Sequence, residues 1–142
     1  MEDMTRSDLS KVKMSYRIER AYSPYKYIHI EILGTGEGQV SYELYQEYVK
    51  EGGEKQRNIP ILITANEIEE LVRFYQETEF LQLEVEDLNK DKIQVTDVGT
   101  TTLSYSDGKK EREFSYGYIK ENPFSPLVRA YWQLAERYLP RR

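Results

Sequence analysis

The chain contains no cysteine. Disulfides, thiolate metal sites and cysteine nucleophiles are therefore excluded, and a reducing compartment fits. Histidine occurs once, at His29. One imidazole without thiolates cannot build a typical zinc site, and any Ser-His-Asp arrangement would have to pass through it. No stretch approaches the roughly 20 apolar residues that cross a bilayer. Residues 1–10 are polar and charged and lack the apolar run of a secretory signal, so with Met1 as the natural start a cytoplasmic protein is expected. A basic field is missing too. The net charge is −5, and the basic residues are scattered apart from Arg141 and Arg142. Nucleic acid and anionic membrane are therefore not expected as partners.

What is present is one domain's worth of chain, 142 residues, able to bury roughly two thirds of its unfolded surface. Tyrosine is abundant, at 13. Its large apolar ring and polar tip suit half-buried sheet faces and interaction surfaces. No internal repeat longer than a hairpin and no low-complexity linker interrupts the sequence. The expected organisation is a flexible N-terminus over 1–10 and a single α+β domain over 11–140.

Alternation predicts the strands. Val12, Met14, Tyr16 and Ile18 alternate with Lys13, Ser15 and Arg17, which predicts an edge strand within 11–22, its cations discouraging sheet-to-sheet aggregation. Tyr25 to Leu33 is the clearest strand, with Ile28, Ile30 and Ile32 on one face and Tyr27, His29 and Glu31 on the other. Gly34 to Gly38 turns the chain, and Val40, Tyr42 and Leu44 close an antiparallel hairpin. Gly52 and Gly53 mark a second turn before a strand at 59–63. Ile93, Val95 and Thr100 to Leu103 favour further strands. Asp107-Gly108 predicts a two-residue hairpin loop joining 101–105 to 111–118.

Two helices are expected. Thr64-Ala65-Asn66-Glu67 has the form of a capping box. Ile68, Leu71, Val72 and Tyr75 then recur on one helical face, with a stop near Thr78. Asn122-Pro123 and Ser125-Pro126 open a final helix with proline in its first turn. Its inward face is Leu127, Tyr131, Leu134 and Tyr138, and Leu139-Pro140 ends it. The fold class is α+β: an antiparallel sheet of about five or six strands with two helices packed on one face. The predicted core comprises Ile28, Ile30, Ile32, Val40, Leu44, Ile61, Ile63, Ile68, Leu71, Val72, Tyr75, Phe80, Leu83, Leu103, Phe114, Leu127, Tyr131 and Leu134, with Tyr138 on the same helix face.

Candidate sites are few. The glycines at 34, 36 and 38 have the wrong spacing and the wrong following element for a dinucleotide loop. Asp87, Asn89 and Asp91 supply alternating oxygens as calcium loops do, but Lys92 and Val98 stand where an EF-hand needs glycine and glutamate. They remain candidate ligands of a small-ligand or calcium site. Glu67, Glu69, Glu70, Glu84, Glu86, Asp87 and Asp97 are available for a carboxylate-based hydrolase, which needs two acids converging in a cleft. Glu69 and Glu70 read as a solvated helix face, and Asp97 reads as a turn cap. His29 reads as part of a cross-strand surface pair opposite Glu43 and Tyr45. Tyr25, Tyr27, Tyr45 and Tyr48, with Tyr116 or Tyr118, could line the outer sheet face as an aromatic patch of the kind partners bind. The expected binding residues are Tyr27, His29, Glu31, Glu43 and Tyr45. No catalytic residue and no cofactor is expected.

The string Gly36-Glu37-Gly38-Gln39-Val40-Ser41-Tyr42-Glu43 resembles the hairpin of a family of bacterial domains of unknown function, many of them exported or lipid-anchored. That family continues with a helix opened by T/S-x-x-E, here Thr64 to Glu67. A phenylalanine and a leucine follow, here Phe80 and Leu83, then T-D-x-x-T-T, here Thr96 to Thr101. The resemblance spans roughly 23–139. The family's frequent cysteine pair before the first strand is absent, since 20–25 reads Arg-Ala-Tyr-Ser-Pro-Tyr. More distantly, the layout is similar to emfourin-type metalloprotease inhibitors. The resemblance implies a fold and supplies no catalytic residues. The expected function is a non-enzymatic protein-interaction module, inhibitor-like in type, with an unknown protein partner or a second copy on the outer sheet face.

Overall fold

The computed structural model describes residues 9–19, 25–82, 99–117 and 122–139. Six strands form one antiparallel sheet: β1 (Lys13–Glu19), β2 (Tyr25–Leu33), β3 (Glu37–Leu44), β4 (Gln56–Leu62), β5 (Thr100–Ser106) and β6 (Glu111–Tyr116). Their spatial order is β4-β3-β2-β1-β5-β6. Two helices, α1 (Ala65–Glu77) and α2 (Ser125–Glu136), complete the α+β fold.

The period-two patterns decide which side of the sheet is buried. Met14 and Tyr16 of β1, the three isoleucines of β2, Val40 and Tyr42 of β3, and Leu103 and Tyr105 of β5 all point to one side and are buried. Ile68, Leu71, Val72 and Tyr75 of α1 and Leu127, Tyr131 and Leu134 of α2 close over that side in one core, beside which Ile28 and Tyr42 form a second, smaller cluster. Burying a side chain of this size stabilises by about 1.5–3 kcal/mol, so this one-sided pattern drives the architecture.

The first strand is not at an edge. It lies between β2 and β5, with Tyr16 paired to both Ile30 and Leu103. Lys13 and Arg17 occupy the solvent side of an internal strand, where a one-sided sheet tolerates charge as readily as an edge does. Three further expectations need correcting. Leu44 is half-buried, packing beside Ile28 and Tyr42. Tyr138 falls beyond the end of α2 and is only partly buried. The β5–β6 loop also closes one residue later than predicted. The Asp107 N–H donates to the Lys110 carbonyl, and the Asp107 carboxylate accepts from the amides of Lys109 and Lys110. Gly108, at φ +92°, and Lys109 therefore form the tip. A short carboxylate that binds the next amides favours this closure. Sequence reasoning also left Leu9, Val12, Met14, Tyr16, Tyr42, Tyr105, Tyr116, Phe124 and Ala135 out of the core, all buried. Phe124 packs against Phe80, Phe114 and Tyr116.

The capping box forms as written. The Thr64 hydroxyl accepts from the Glu67 amide, and the Glu67 carboxylate accepts from the Thr64 amide. The carboxylate also meets Arg137 at 2.9 Å, tying the start of α1 to the end of α2. Partial burial pushes this carboxyl up, but the Thr64 hydrogen bonds and the Arg137 guanidinium outweigh that and hold it below its ordinary value.

Candidate functional site: the open face of the sheet

Because both helices lie on one side, the other side of the sheet is left without a helix among the described residues. Pairing registers place its side chains in rows across the strands. One row runs Ser41, His29, Arg17, Thr102, Ser115. The next runs Gln39, Glu31, Ser15, Ser104, Glu113. Beyond the first row stand Glu43, Tyr27 and Glu19.

The face is polar. The Arg17 guanidinium sits 4.5 Å over the Tyr27 ring and 3.0 Å from the Glu19 carboxylate. Gln56 donates to the Tyr27 hydroxyl at 2.7 Å. Lys26 meets Glu43 at 3.3 Å. Thr102 and Ser115 share a hydrogen bond, as do Ser15 and Ser104. His29 is flanked by Arg17 and Ser41, not by Glu43 and Tyr45 as the sequence suggested. Partial burial and the neighbouring Arg17 lower its pKa, against an opposing pull from Glu31. The imidazole is therefore neutral at pH 7, an uncharged donor and acceptor in the middle of the face.

Among the described residues the aromatic patch does not form. Tyr27 is on this face, but a register shift between Tyr25 and Tyr27 turns Tyr25 to the helix side. There its ring meets Tyr42 edge-on at 5.6 Å. Tyr116 is buried among phenylalanines. Tyr48 sits in a single 3-10 turn after β3, and Tyr45 caps that turn. The strands thus bring Tyr27, His29, Glu31 and Glu43 together, while Tyr45 lies beyond the ladder. A β-bulge is a two-against-one count between strands, and one strand's alternation carries no mark of it.

The remaining candidates do not gather. Glu67 serves the helix cap, and Glu69 and Glu70 are exposed on α1, Glu70 near Arg73 at 3.9 Å. Among the described residues no group of His, Asp and Glu could hold a metal ion. Asp87, Asn89, Asp91 and Asp97, with Glu84, Glu86, Leu83, Ile93, Val95 and Tyr118, lie outside the described residues. Among the described residues no helix is long and apolar enough to cross a membrane.

No family model and no curated protein matches this chain.

Proposed function

We propose that this domain is a non-enzymatic protein-interaction module that binds its partner through the open face of the sheet. The observation that carries this reading is the segregation of the two helices to one side. Among the described residues a six-stranded surface is left on the other side, with Arg17, Tyr27 and His29 near its middle. Arginine and tyrosine are the residue types that dominate binding hot spots. Here they are pre-ordered by stacking and by the Glu19 and Gln56 contacts, which lowers the entropy lost on binding. An inhibitor, which acts by occupying a partner's surface, is one form of such a module. The absence of a basic field argues against nucleic acid.

The test compares quantitative co-purification by wild type, by an Arg17→Ala/Tyr27→Ala pair and by a control pair on α1, Glu70→Ala/Arg73→Ala. The reading expects specific partners retained by wild type and the helix control and lost by the face pair. Partners lost only with the helix control would move the binding surface to α1.

A further inference from the structure

At one end of the open face lies a groove of about 420 Å³. Its floor is Ser15 of β1 with Ser104 and Ser106 of β5, and its walls are Glu31 of β2 on one side and Glu111 and Glu113 of β6 on the other; Lys13 and Arg112 also line it, Arg112 donating to the Phe80 carbonyl. The depth comes from residue size. Apart from Lys13, the two middle strands carry short hydroxyl side chains here while the flanking strands carry long acids. The Ser15 and Ser104 hydroxyls bond each other, which satisfies the floor and keeps it flat. Threonine, one methyl larger, is the more favoured strand residue. Serine at these internal positions keeps the groove open where a bulkier β-former would fill it.

The charge on this face is one-sided. Its outward positions carry Glu19, Glu31, Glu37, Glu43, Glu111 and Glu113 against Lys13 and Arg17. Arg17 is engaged by Glu19, and Glu43 is met by Lys26. Among the described residues, none of Glu31, Glu111 and Glu113 is in an ion pair. The wall acids have a definite spacing. Glu31 and Glu113 face each other across three strand intervals, about 14 Å between backbones. Glu111 and Glu113 are two residues apart on one strand, about 6.6 Å. Cationic side chains at alternate positions of an extended chain recur at that same interval.

Resting on the reading of the face as a binding surface, we infer that the groove takes an extended segment of a protein partner bearing lysine or arginine at alternate positions. The segment lies along β1 and β5 over the serine floor, its cations against Glu113, Glu111 and Glu31. A second copy of this chain is disfavoured there, because it would bring the same carboxylates face to face.

The test is an amide NMR titration with a hexapeptide alternating lysine and serine, beside its glutamate-serine counterpart and spermine. The inference expects saturable shifts centred on Ser15, Ser104 and Glu113 with the lysine peptide alone, weakened by salt. Glu31→Gln/Glu113→Gln should weaken binding about tenfold or more, two charge-assisted contacts being lost. Ser104→Tyr should abolish binding by filling the groove while the amide spectrum stays folded. Diffuse non-saturating shifts, shifts centred on the α1 acids, equal binding of spermine, or a concentration-dependent dimer protecting Ser104 would each overturn it. If partners captured through Arg17 and Tyr27 are indifferent to the groove variants, this inference fails and the face reading stands. If the Arg17/Tyr27 pair loses nothing, the face reading itself fails.

Discussion

The hydroxyls of Tyr75 and Tyr131 meet at 2.7 Å in the buried space between the two helices and the sheet. Tyr75 also donates to the Ser15 carbonyl at 3.3 Å, so its proton is committed and Tyr131 is the donor between them. One α1 residue, one α2 residue and the backbone of β1 are thereby joined. The backbone carbonyl belongs to the residue whose side chain forms the groove floor on the opposite side.

This arrangement makes the two truncations unequal. Tyr131→Phe removes one hydrogen bond and leaves the Ser15 carbonyl satisfied, a loss of about 0.5–1.5 kcal/mol. Tyr75→Phe strips a partner from both the carbonyl and the Tyr131 hydroxyl, a loss of about 1–3 kcal/mol. Denaturant unfolding of the two variants checks the order, and equal losses would contradict the assigned direction.

Alkaline pH acts on the same cluster. Burial raises the phenols of Tyr75 and Tyr131 far above their ordinary 10.0, the Tyr131 hydroxyl adding to the effect at Tyr75. Burial, then Asp107, raises Tyr105 to about 12. These groups stay protonated in the fold and ionise near 10.0 once unfolded. Their contribution to stability is therefore constant below pH 10 and falls as pH rises past it, by about 1.4 kcal/mol per pH unit for each phenol. The contribution of Tyr105 to this fall levels off near pH 12. Melting temperatures between pH 8 and 12 should show a plateau followed by a steep decline.

At acid pH the sign reverses. Glu67 and Asp107 are both held below their ordinary values of 4.5 and 3.8. For Glu67 the Thr64 and Arg137 contacts outweigh burial, and for Asp107 the backbone amides of Lys110 and Lys109 dominate. Their stabilisation is complete above those ordinary values and is lost as pH falls through the lowered ones. Thr64→Ala should cost about 1 kcal/mol at neutral pH and flatten the acid limb of the stability profile. An unchanged limb would mean that the cap does not titrate with folding.

Glu79 follows α1 at φ +53°, where glycine is the usual occupant. Its N–H reaches the Gln76 carbonyl and the Phe80 N–H reaches the Tyr75 carbonyl, a Schellman closure, with the Tyr75 and Phe80 rings packed edge-on at 5.1 Å. The left-handed conformation costs an L-residue about 1–2 kcal/mol. Glu79→Gly should recover part of that, about 0.5–1 kcal/mol net of glycine's added chain entropy. A melting-temperature rise of about 2–4 °C is expected.

The sequence carried most of this fold in two periodicities and one cap. The isoleucines of β2, the inward face of α1, that of α2 apart from Tyr138, and the Thr64–Glu67 box all stand where their spacing put them. What the spacing could not convey was lateral order. Lysine and arginine alternating with Met14 and Tyr16 read the same at an edge or in the middle of a one-sided sheet, and only the β5 pairing separates the two. The open face was legible as far as Tyr27, His29, Glu31 and Glu43 because they share one strand parity or its partner's. Its character was not. A bulge at Tyr25 and burial of Tyr116 removed the expected aromatics, and the serines that shape the groove carry no signal until β1 and β5 are adjacent.

The most direct test of the central claim places a photo-crosslinking side chain at His29, in the middle of the open face, and separately at Glu70 on the exposed side of α1. The account predicts a discrete crosslinked partner from position 29 that disappears with Arg17→Ala/Tyr27→Ala, and none from position 70. A partner captured at position 70 and not at position 29 would contradict it.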